Sequence, residues 1–452
     1  MNPLSQIRSI VPFYAFEPPA REQSPNYAIG YADHVLSGVA GMGSGSQPNQ
    51  STHPPELALD GLCTSAINLG RWALHQTPDP YTAQQLASSE SRQRLFTEIL
   101  WRTYELCFKV CARQAGVPAD RLESVDWWQD CDPRSRVDLP KPPEPVASRC
   151  HEHPDERLKF FDYASAYPAL LAQSQTITDR ILDTDVPSTR STPRRSRGAF
   201  YTPTPLIEHI LQSAVIEPLD QRLRASGVNT TDQRENIVRN FRICDPTVGV
   251  GGFLIRAAHH LASRLDKPNA LTEIIANNLY GVDIDPLAVT LCRAVLWLET
   301  PASPCEWAAL CSHIKVGNSL IGATPELISK GIPNDAFRAG PGDSPQAVRY
   351  YRTRNRAERR TMQRGIVPVD PKLAADAWCA AFVWRKHDTD RPGLIEGCPG
   401  RWDAITQRVF EQIQTRPDNV PPWILAEIAR LSAQYHFFHW HHEFPEVIHI
   451  QH

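Results

Sequence analysis

The feature that most constrains this 452-residue chain is an alternation of short apolar strands and helical patterns in its second half. A glycine-rich turn follows the first strand candidate, and each of the first two strand candidates leads into a helix. This order is typical of βαβ units, which build a parallel sheet covered by helices. The sequence therefore predicts an α/β fold here, with strands at 241–246, 278–285 and 313–320 and helices at 249–265 and 286–299.

Composition excludes several classes of protein. The chain has 47 Lys and Arg against 50 Asp and Glu, so any contact with nucleic acid must come from local basic patches. Its eleven cysteines are scattered and odd in number, which favours reduced thiols and a cytoplasmic protein. No apolar run approaches the roughly 20 residues of a membrane helix, and the N-terminus lacks the pattern of a secretory signal.

The turn after the first strand candidate is the first candidate site. Asp245 ends that strand, and Gly249, Gly251 and Gly252 lead into the following helix. Glycine accepts positive φ and lets the backbone approach a ligand, and a helix N-terminus offers free N–H groups. A merely tight strand–helix turn explains the same glycines equally well. A carboxylate such as Asp245 suits a ligand with positive charge, for example a sulfonium or an amino group.

Asp283 ends the second strand candidate and is the next site residue. A carboxylate there can accept hydrogen bonds from both hydroxyls of a ribose. The alternative is an N-cap of the following helix, although Asp285, just before Pro286, is better placed for that role.

Two further motifs flank these turns. In GAFYTPTPL (198–206), Thr202 is the expected cap before Pro203, and the first-turn amides of that helix could hold a carboxylate. In VGNSLIG (316–322), the Asn318 amide could bond an adenine edge, or it could be a turn asparagine.

Together, these four motifs resemble the S-adenosylmethionine-dependent DNA adenine-N6 methyltransferases of the γ arrangement. They stand in the family's order within residues 198–322, and the subgroup they resemble occurs in type IIG restriction–modification and phage-defence systems. FHWHHEFPEVI (438–448) is similar to another segment of that subgroup. The resemblance implies a Rossmann-like methyltransferase core with an incomplete parallel sheet, and double-stranded DNA as substrate. The helical patterns at 82–115 and 156–184 add the expectation of a mostly helical N-terminal region.

The resemblance also implies roles for single residues. Tyr201, Thr202 and Pro203 would line the methionine end of S-adenosylmethionine, and Phe253 would pack in the pocket wall. Asp283 would hold the ribose hydroxyls, Ile284 would cover the adenine ring, and Asn318 would meet the adenine amino group. The turn beneath the cofactor would be formed by Asp245, Pro246, Gly249 and Gly251.

The sequence departs from the family in two ways. The family's Cys-Gly-Ser/Thr is Val248-Gly249-Val250, and no [DNS]-P-P-[YFW] motif occurs, so no catalytic residue is assigned. The nearest string, Asn419 to Trp423, is better explained by prolines at a helix start. We therefore expect the N-terminal part of a longer, truncated or split enzyme, with a downstream polypeptide carrying the catalytic strand and target-recognition domain. The alternatives are a non-catalytic cofactor- or DNA-binding subunit that needs a partner chain, and methylation of RNA or a protein glutamine.

Helical patterns and linkers divide the chain into five predicted segments. Helical patterns occur at 82–115, 156–184, 205–219, 370–386 and 421–440, and a basic one at 349–365 suits either phosphate contact or a solvated face. No metal site is assigned to the terminal histidines. The predicted segments are a loop-rich N-terminal region of unknown function (1–155), a helical segment with a basic linker (156–198), the S-adenosylmethionine-binding methyltransferase core (199–322), a helical basic insertion (323–437) and the segment leading toward the catalytic strand (438–452).

Overall fold

A computed structural model describes residues 10–12, 54–76, 88–132, 159–182, 202–225, 230–302, 304–340, 342–386 and 404–448. Its sheet has four parallel strands in chain order. The strands are β1 (Ile10–Pro12), β2 (Arg242–Asp245), β3 (Leu279–Asp283) and β4 (Ile314–Val316). The three predicted strands are confirmed with shorter bounds, and the parallel sheet agrees with an α/β class. The sequence patterns do not predict β1.

The two faces of the sheet pack against different parts of the chain. Successive side chains of a strand point to opposite faces. Ile243, Leu279 and Ile314 accordingly belong to one large hydrophobic core, whereas Cys244 and Tyr280 belong to a small cluster on the other side. This burial on both faces explains why the inner positions of β2 and β3 are apolar and the charged residues stand at the strand ends.

Six N-terminal helices share the large core with the sheet. Phe108 lies 5.7 Å from Trp297 between ring centroids, and the Tyr167 hydroxyl donates to Asp285 Oδ2 over 2.8 Å. Cys107 and Cys111 are buried on one helix face. These helices are α1 (Pro54–Gln76), α2 (Ser89–Gln114), α3 (Ala119–Glu123), α4 (Phe160–Ser165), α5 (Tyr167–Ala172) and α6 (Ser174–Leu182).

Between residues 204 and 313, the described part of the chain contains seven helices that surround the strands. They are α7 (Thr204–Leu211), α8 (Glu217–Arg224), α9 (Thr231–Arg239), α10 (Gly252–Ala262), α11 (Ala270–Asn277), α12 (Pro286–Leu298) and α13 (Trp307–His313). A π-helical turn, Gln212–Ile216, joins α7 to α8, so the helix predicted at 205–219 is interrupted.

Two predicted helix caps have opposite outcomes. Asp285 is the N-cap of α12, because its Oδ1 accepts from the Leu287 N–H at 3.1 Å, which confirms that prediction. Thr202 as a cap is wrong. Helix α7 begins one residue later than expected, and its N-cap is Pro203, which makes no side-chain capping bond.

The described residues between 323 and 437 build a second hydrophobic core of their own. Pro421 and Pro422 begin its last helix, which confirms the simple explanation of the proline pair near Asn419. Its helices are α14 (Pro325–Ser329), α15 (Pro345–Glu358), α16 (Pro371–Val383), α17 (Gln407–Thr415) and α18 (Pro422–Tyr435).

The last described segment covers the second face of the sheet. Phe438, Phe444 and Val447 pack against Cys244 and Tyr280, and the segment contains the short helix α19 (Trp440–Glu443). Within the described residues, no helix has the length and apolarity to span a membrane, and the cysteines form no disulfide bond. The division of the chain into five segments stays a prediction.

Candidate functional site

The glycine-rich turn after β2 uses its glycines for two different reasons. Gly249 and Gly251 have φ values of +53° and +91°, a region in which a side chain is strained. A Cβ on Gly251 would lie 2.9 Å from Cys292 Sγ, so packing against α12 also requires a glycine there. A Cβ on Gly249 would meet no atom within 4 Å. Gly249 therefore keeps its backbone open to approach from outside.

Asp283 is joined to this turn by a direct hydrogen bond. Its Oδ2 accepts from the Gly249 N–H at 2.8 Å, and its Oδ1 accepts from the Asp285 N–H at 2.9 Å. Burial raises the pKa of Asp283, and the bonds from Asp285 and Gly249 partly oppose that rise. The Ile284 amide also interacts with this carboxylate, which has about four acceptor positions, so at least one remains for another donor.

Asp245 is the more buried of the two carboxylates, with 2% of its surface exposed. Its Oδ1 accepts from the Thr247 N–H at 2.9 Å. Burial raises the pKa of Asp245 to about 6 despite that bond, and the negative charge of Asp283 contributes to the rise. The two strand ends thus hold carboxylates that repel each other, an arrangement that a positively charged group would stabilise.

The loop after β4 lies beside Asp283. The Gly317 N–H donates to the Asp283 carbonyl at 2.8 Å, and the Asn318 N–H donates to the His436 carbonyl at 2.7 Å. Asn318 Oδ1 accepts from the Leu320 N–H at 3.1 Å, so this residue is a turn asparagine. Contact with an adenine edge stays a prediction.

Two large apolar side chains are exposed next to these polar groups. Ile284, which follows Asp283, is 41% exposed, and Leu320, two residues after Asn318, is 92% exposed. Exposed apolar side chains can supply contact surface for a ligand, because ligand sites are lined mostly by apolar groups. The sequence analysis singled out Ile284 and missed Leu320.

The remaining predicted residues are positioned less directly. A Cβ on Gly252 would lie 3.4 Å from Ile207 Cδ1, so the first turns of α7 lie against the start of α10 and bring Thr202 and Pro203 toward the glycine-rich turn. Phe253 is half-buried against the large core, and Pro246 is half-buried as well. Tyr201 lies outside the described residues.

The segment around Phe438 supports the Asn318 loop, a role that sequence reasoning missed. A Cβ on Gly317 or Gly322 would overlap Phe438, and the Phe438 N–H donates to the Ile321 carbonyl at 2.8 Å. The two glycines on either side of Asn-Ser-Leu-Ile were the available signal, because they indicate close approach by another segment.

His439 extends this support into the second core. Its Nδ1 accepts from the Ala323 N–H at 3.1 Å, so Nε2 carries the proton of the neutral ring and donates to Asp376 Oδ1 at 3.0 Å. Ser432 also donates to Asp376 Oδ1, at 2.9 Å. In the described part of the chain, no group of three or more His, Cys, Asp or Glu residues is arranged to hold a metal ion.

Comparisons with known proteins bear on the same region. Residues 189–307 match the family described as N-6 DNA Methylase. A protein of Methanocaldococcus jannaschii, named "Putative type II restriction enzyme and methyltransferase", is 30% identical over 142 residues. That match covers 23% of this chain and only 12% of the relative's length. No solved structure matches the chain. The family match includes both strand-end carboxylates and ends before Asn318.

Proposed function

We propose that this chain, which contains an N-6 DNA methylase region at residues 189–307, binds S-adenosylmethionine and serves site-specific methylation of adenine N6 in double-stranded DNA. The name of the Methanocaldococcus jannaschii relative combines restriction and methylation, which supports a restriction–modification or phage-defence context. A Rossmann-like methyltransferase core and a cytoplasmic location are part of the same proposal.

The observation that carries the proposal is the Asp283 carboxylate at the carboxyl end of β3. Its oxygens are oriented by the Gly249 and Asp285 amides, at 2.8 and 2.9 Å, and the carboxylate retains acceptor capacity for a ribose hydroxyl. Parallel α/β sheets bind ligands outside the carboxyl ends of their strands, where Asp245 and Asp283 both lie.

The residues present fit S-adenosylmethionine in charge and shape. Gly249 leaves open space above the turn, and the exposed Ile284 can cover a flat adenine ring. Asp245 supplies negative charge for the cationic end of the ligand. When bound, S-adenosylmethionine supplies a methyl group activated by its positively charged sulfur.

The other family positions complete the proposed binding site. Thr202 and Pro203, with Tyr201 beyond the described residues, would face the methionine end. Pro246 and Gly251 would shape the turn, and Phe253 would form part of the wall. Asn318 would approach the adenine amino group through the second acceptor position of its Oδ1.

Activation of the target base is not assigned to any residue of this sequence. An adenine amino group is a weak nucleophile and needs hydrogen-bond acceptors, which the family's N-P-P-[YFW] motif supplies and this sequence lacks. The competing possibility is a non-catalytic binding subunit. Methylation by the purified chain alone would contradict the subunit role, whereas methylation only after addition of a polypeptide with that motif would support it.

The decisive experiment compares two ligands on two variants by titration calorimetry. S-adenosylmethionine has a charged sulfur and an amino acid end, whereas 5′-methylthioadenosine has the same nucleoside without them. Asp283→Ala should weaken both ligands by about tenfold or more, because it removes charged acceptors from the ribose. Asp245→Asn should weaken S-adenosylmethionine by a similar factor and leave 5′-methylthioadenosine nearly unchanged.

Asp335→Asn is the matched control, because it removes one exposed carboxylate from the region of the second core, outside the proposed site. It should leave both affinities unchanged. No binding of either ligand to the wild-type chain, or equal affinities for all variants, would contradict the proposed function.

A further inference from the structure

Helix α15 carries a stripe of exposed arginines on a rigidly held helix. Its buried side contains Ala347, Tyr351 and Asn355, and Asn355 Nδ2 donates to the Ile332 carbonyl at 3.0 Å. Arginines at positions 349, 352 and 356 lie on the opposite side, since residues three and four apart share a helix face. Arg360 follows in the next turn, Arg359–Thr361. The second core thus determines which way the stripe faces.

In the described part of the chain, the side chains of the stripe have no protein partner, unlike those of Arg354 and Arg359. Arg354 Nε donates to Glu358 at 2.8 Å, and Arg359 donates to the carbonyls of Lys330 and Ile332. Within the described residues, no hydrogen bond or ion pair is made by the stripe, which consists of Arg349, Arg352, Arg356 and Arg360. The four guanidinium groups therefore remain available to an external anion.

The local charge is strongly one-sided although the chain as a whole is not. Residues 345–365 contain seven arginines and a single acidic residue, Glu358, whereas the whole chain has a net charge of −3. Neighbouring positive charges without acidic partners repel each other, and a partner with regularly spaced negative charge relieves this repulsion. Such a local patch was the expectation for any nucleic-acid contact by this chain.

The spacing of the stripe fits a phosphate backbone. From Arg349 to Arg356 the helix rises about 10 Å, and each strand of duplex DNA carries one phosphate charge per ~3.4 Å of its axis. Guanidinium groups bind phosphates through paired N–H donors. Among the described residues of α15, Tyr350 is the exposed aromatic residue, with 51% of its surface accessible. Proteins that bind single strands stack several bases on aromatic rings, so one such ring favours a duplex as the partner.

We propose that the stripe Arg349, Arg352, Arg356 and Arg360 binds the phosphate backbone of double-stranded DNA without reading its sequence. The choice of DNA as partner rests on the proposed function, and the stripe adds the surface that holds it. The insertion at 323–437 would then contribute affinity for the duplex, while the strand ends of the sheet bind the methyl donor.

The test measures binding of the 452-residue chain to a fluorescent 30-base-pair duplex at several salt concentrations. The triple variant Arg349→Gln, Arg352→Gln, Arg356→Gln should bind at least about tenfold more weakly at low salt. The slope of log affinity plotted against log salt concentration should be smaller in magnitude by about three, which is roughly one for each lost phosphate contact. Arg352→Gln alone should reduce the slope by about one, and duplexes of different sequence should show the same losses.

The matched control removes three arginines that already have acidic partners. Arg264→Gln, Arg338→Gln and Arg430→Gln together change the net charge equally and should leave the slope unchanged, because these side chains pair with Asp220, Asp335 and Glu427. Equal slopes for the triple variant and wild type would overturn the proposal. So would absence of duplex binding by wild type, or tighter binding to single-stranded RNA.

A separate measurement distinguishes this proposal from the proposed function. The triple variant should bind S-adenosylmethionine as wild type does, because the stripe is not part of the donor site. Failure of wild type to bind S-adenosylmethionine contradicts the proposed function. An unchanged salt slope contradicts only the stripe.

Discussion

The backbone N–H of Gly249 donates a hydrogen bond to Asp283 Oδ2 over 2.8 Å. This bond joins the turn after β2 to the carboxylate at the end of β3, two groups that lie 34 residues apart in the chain. The protein's own backbone thus orients the carboxylate before a ligand binds, so binding does not include the entropic cost of ordering that side chain. Changes at either residue should therefore affect ligand binding as well as folding.

Gly249→Ala should separate these two effects. The alanine must adopt a left-handed backbone, which costs about 1–2 kcal/mol of folding free energy, and its methyl group extends into open space above the turn. We expect affinity for S-adenosylmethionine to fall by about tenfold, measured by calorimetry. Gly116→Ala is the control, because Gly116 has φ +78° and equally open surroundings outside the site. Equal affinities for the two variants would contradict a ligand above Gly249.

Asp245→Asn should stabilise the protein at neutral pH. Burial raises the pKa of Asp245 from its ordinary 3.8 to about 6, so the folded state holds a proton that the unfolded state has lost between these values. The stability of the wild type therefore falls as pH rises from about 4 to about 6. The amide has no charge to bury, so the variant should gain up to about 3 kcal/mol relative to wild type above pH 6.

Urea unfolding of both proteins between pH 4 and pH 8 measures this difference. The gap between their free energies of unfolding should grow with pH and become constant above about pH 6. A variant less stable than wild type at pH 7 would show that the Asp245 charge supports the fold instead of burdening it.

Gly322→Ala should detach the segment around Phe438 from the Asn318 loop. The new Cβ would overlap the Phe438 carbonyl oxygen, and such overpacking costs about 1–3 kcal/mol. Hydrogen exchange at the Phe438 amide, which donates to the Ile321 carbonyl, should become faster. Gly340→Ala is the control, since its Cβ would make only an ordinary 3.5 Å contact with Asp343. Unchanged exchange in Gly322→Ala would contradict the close packing described here.

His439→Phe should destabilise the chain more than His439→Asn. Phenylalanine leaves the buried Ala323 N–H without an acceptor and removes one donor from Asp376, losses that together cost about 2–4 kcal/mol. Asparagine can place its carbonyl oxygen where Nδ1 was and should recover part of that loss. Urea unfolding measures both variants, and equal destabilisation would show that the Ala323 bond contributes little.

Local patterns in the sequence were sufficient for much of the candidate site. Alternating apolar runs predicted three strands, and Pro286 after Asp285 predicted the N-cap of α12, which the structure confirms. Glycine and proline constrain φ within one or two residues, and a capping bond spans only two or three, so these features depend on neighbours in the chain. The failed cap at Thr202 is a one-residue error of the same local kind.

Contacts between distant segments were not predictable in this way. Phe438 packs on Gly317 and Gly322, and His439 bonds Ala323 from 116 residues away. Strand β1 was missed because only three residues form it, which is too short for a periodic pattern. Helix α1 was missed although its own residues are rich in Leu and Ala, because it follows a stretch rich in Pro, Ser and Gly.

The sequence by itself determined the order of β2, β3 and β4 with the helices that follow β2 and β3, the glycine-rich turn and the acidic residues at the strand ends, because each depends on short-range backbone preferences. The tertiary structure alone decided that Asp283 bonds Gly249, that Phe438 packs against the Asn318 loop, and that three arginines of α15 and Arg360 in the turn after it face outward. Those outcomes depend on the shapes and charges of segments that meet only after the chain has folded, and no periodicity within one segment encodes its partner.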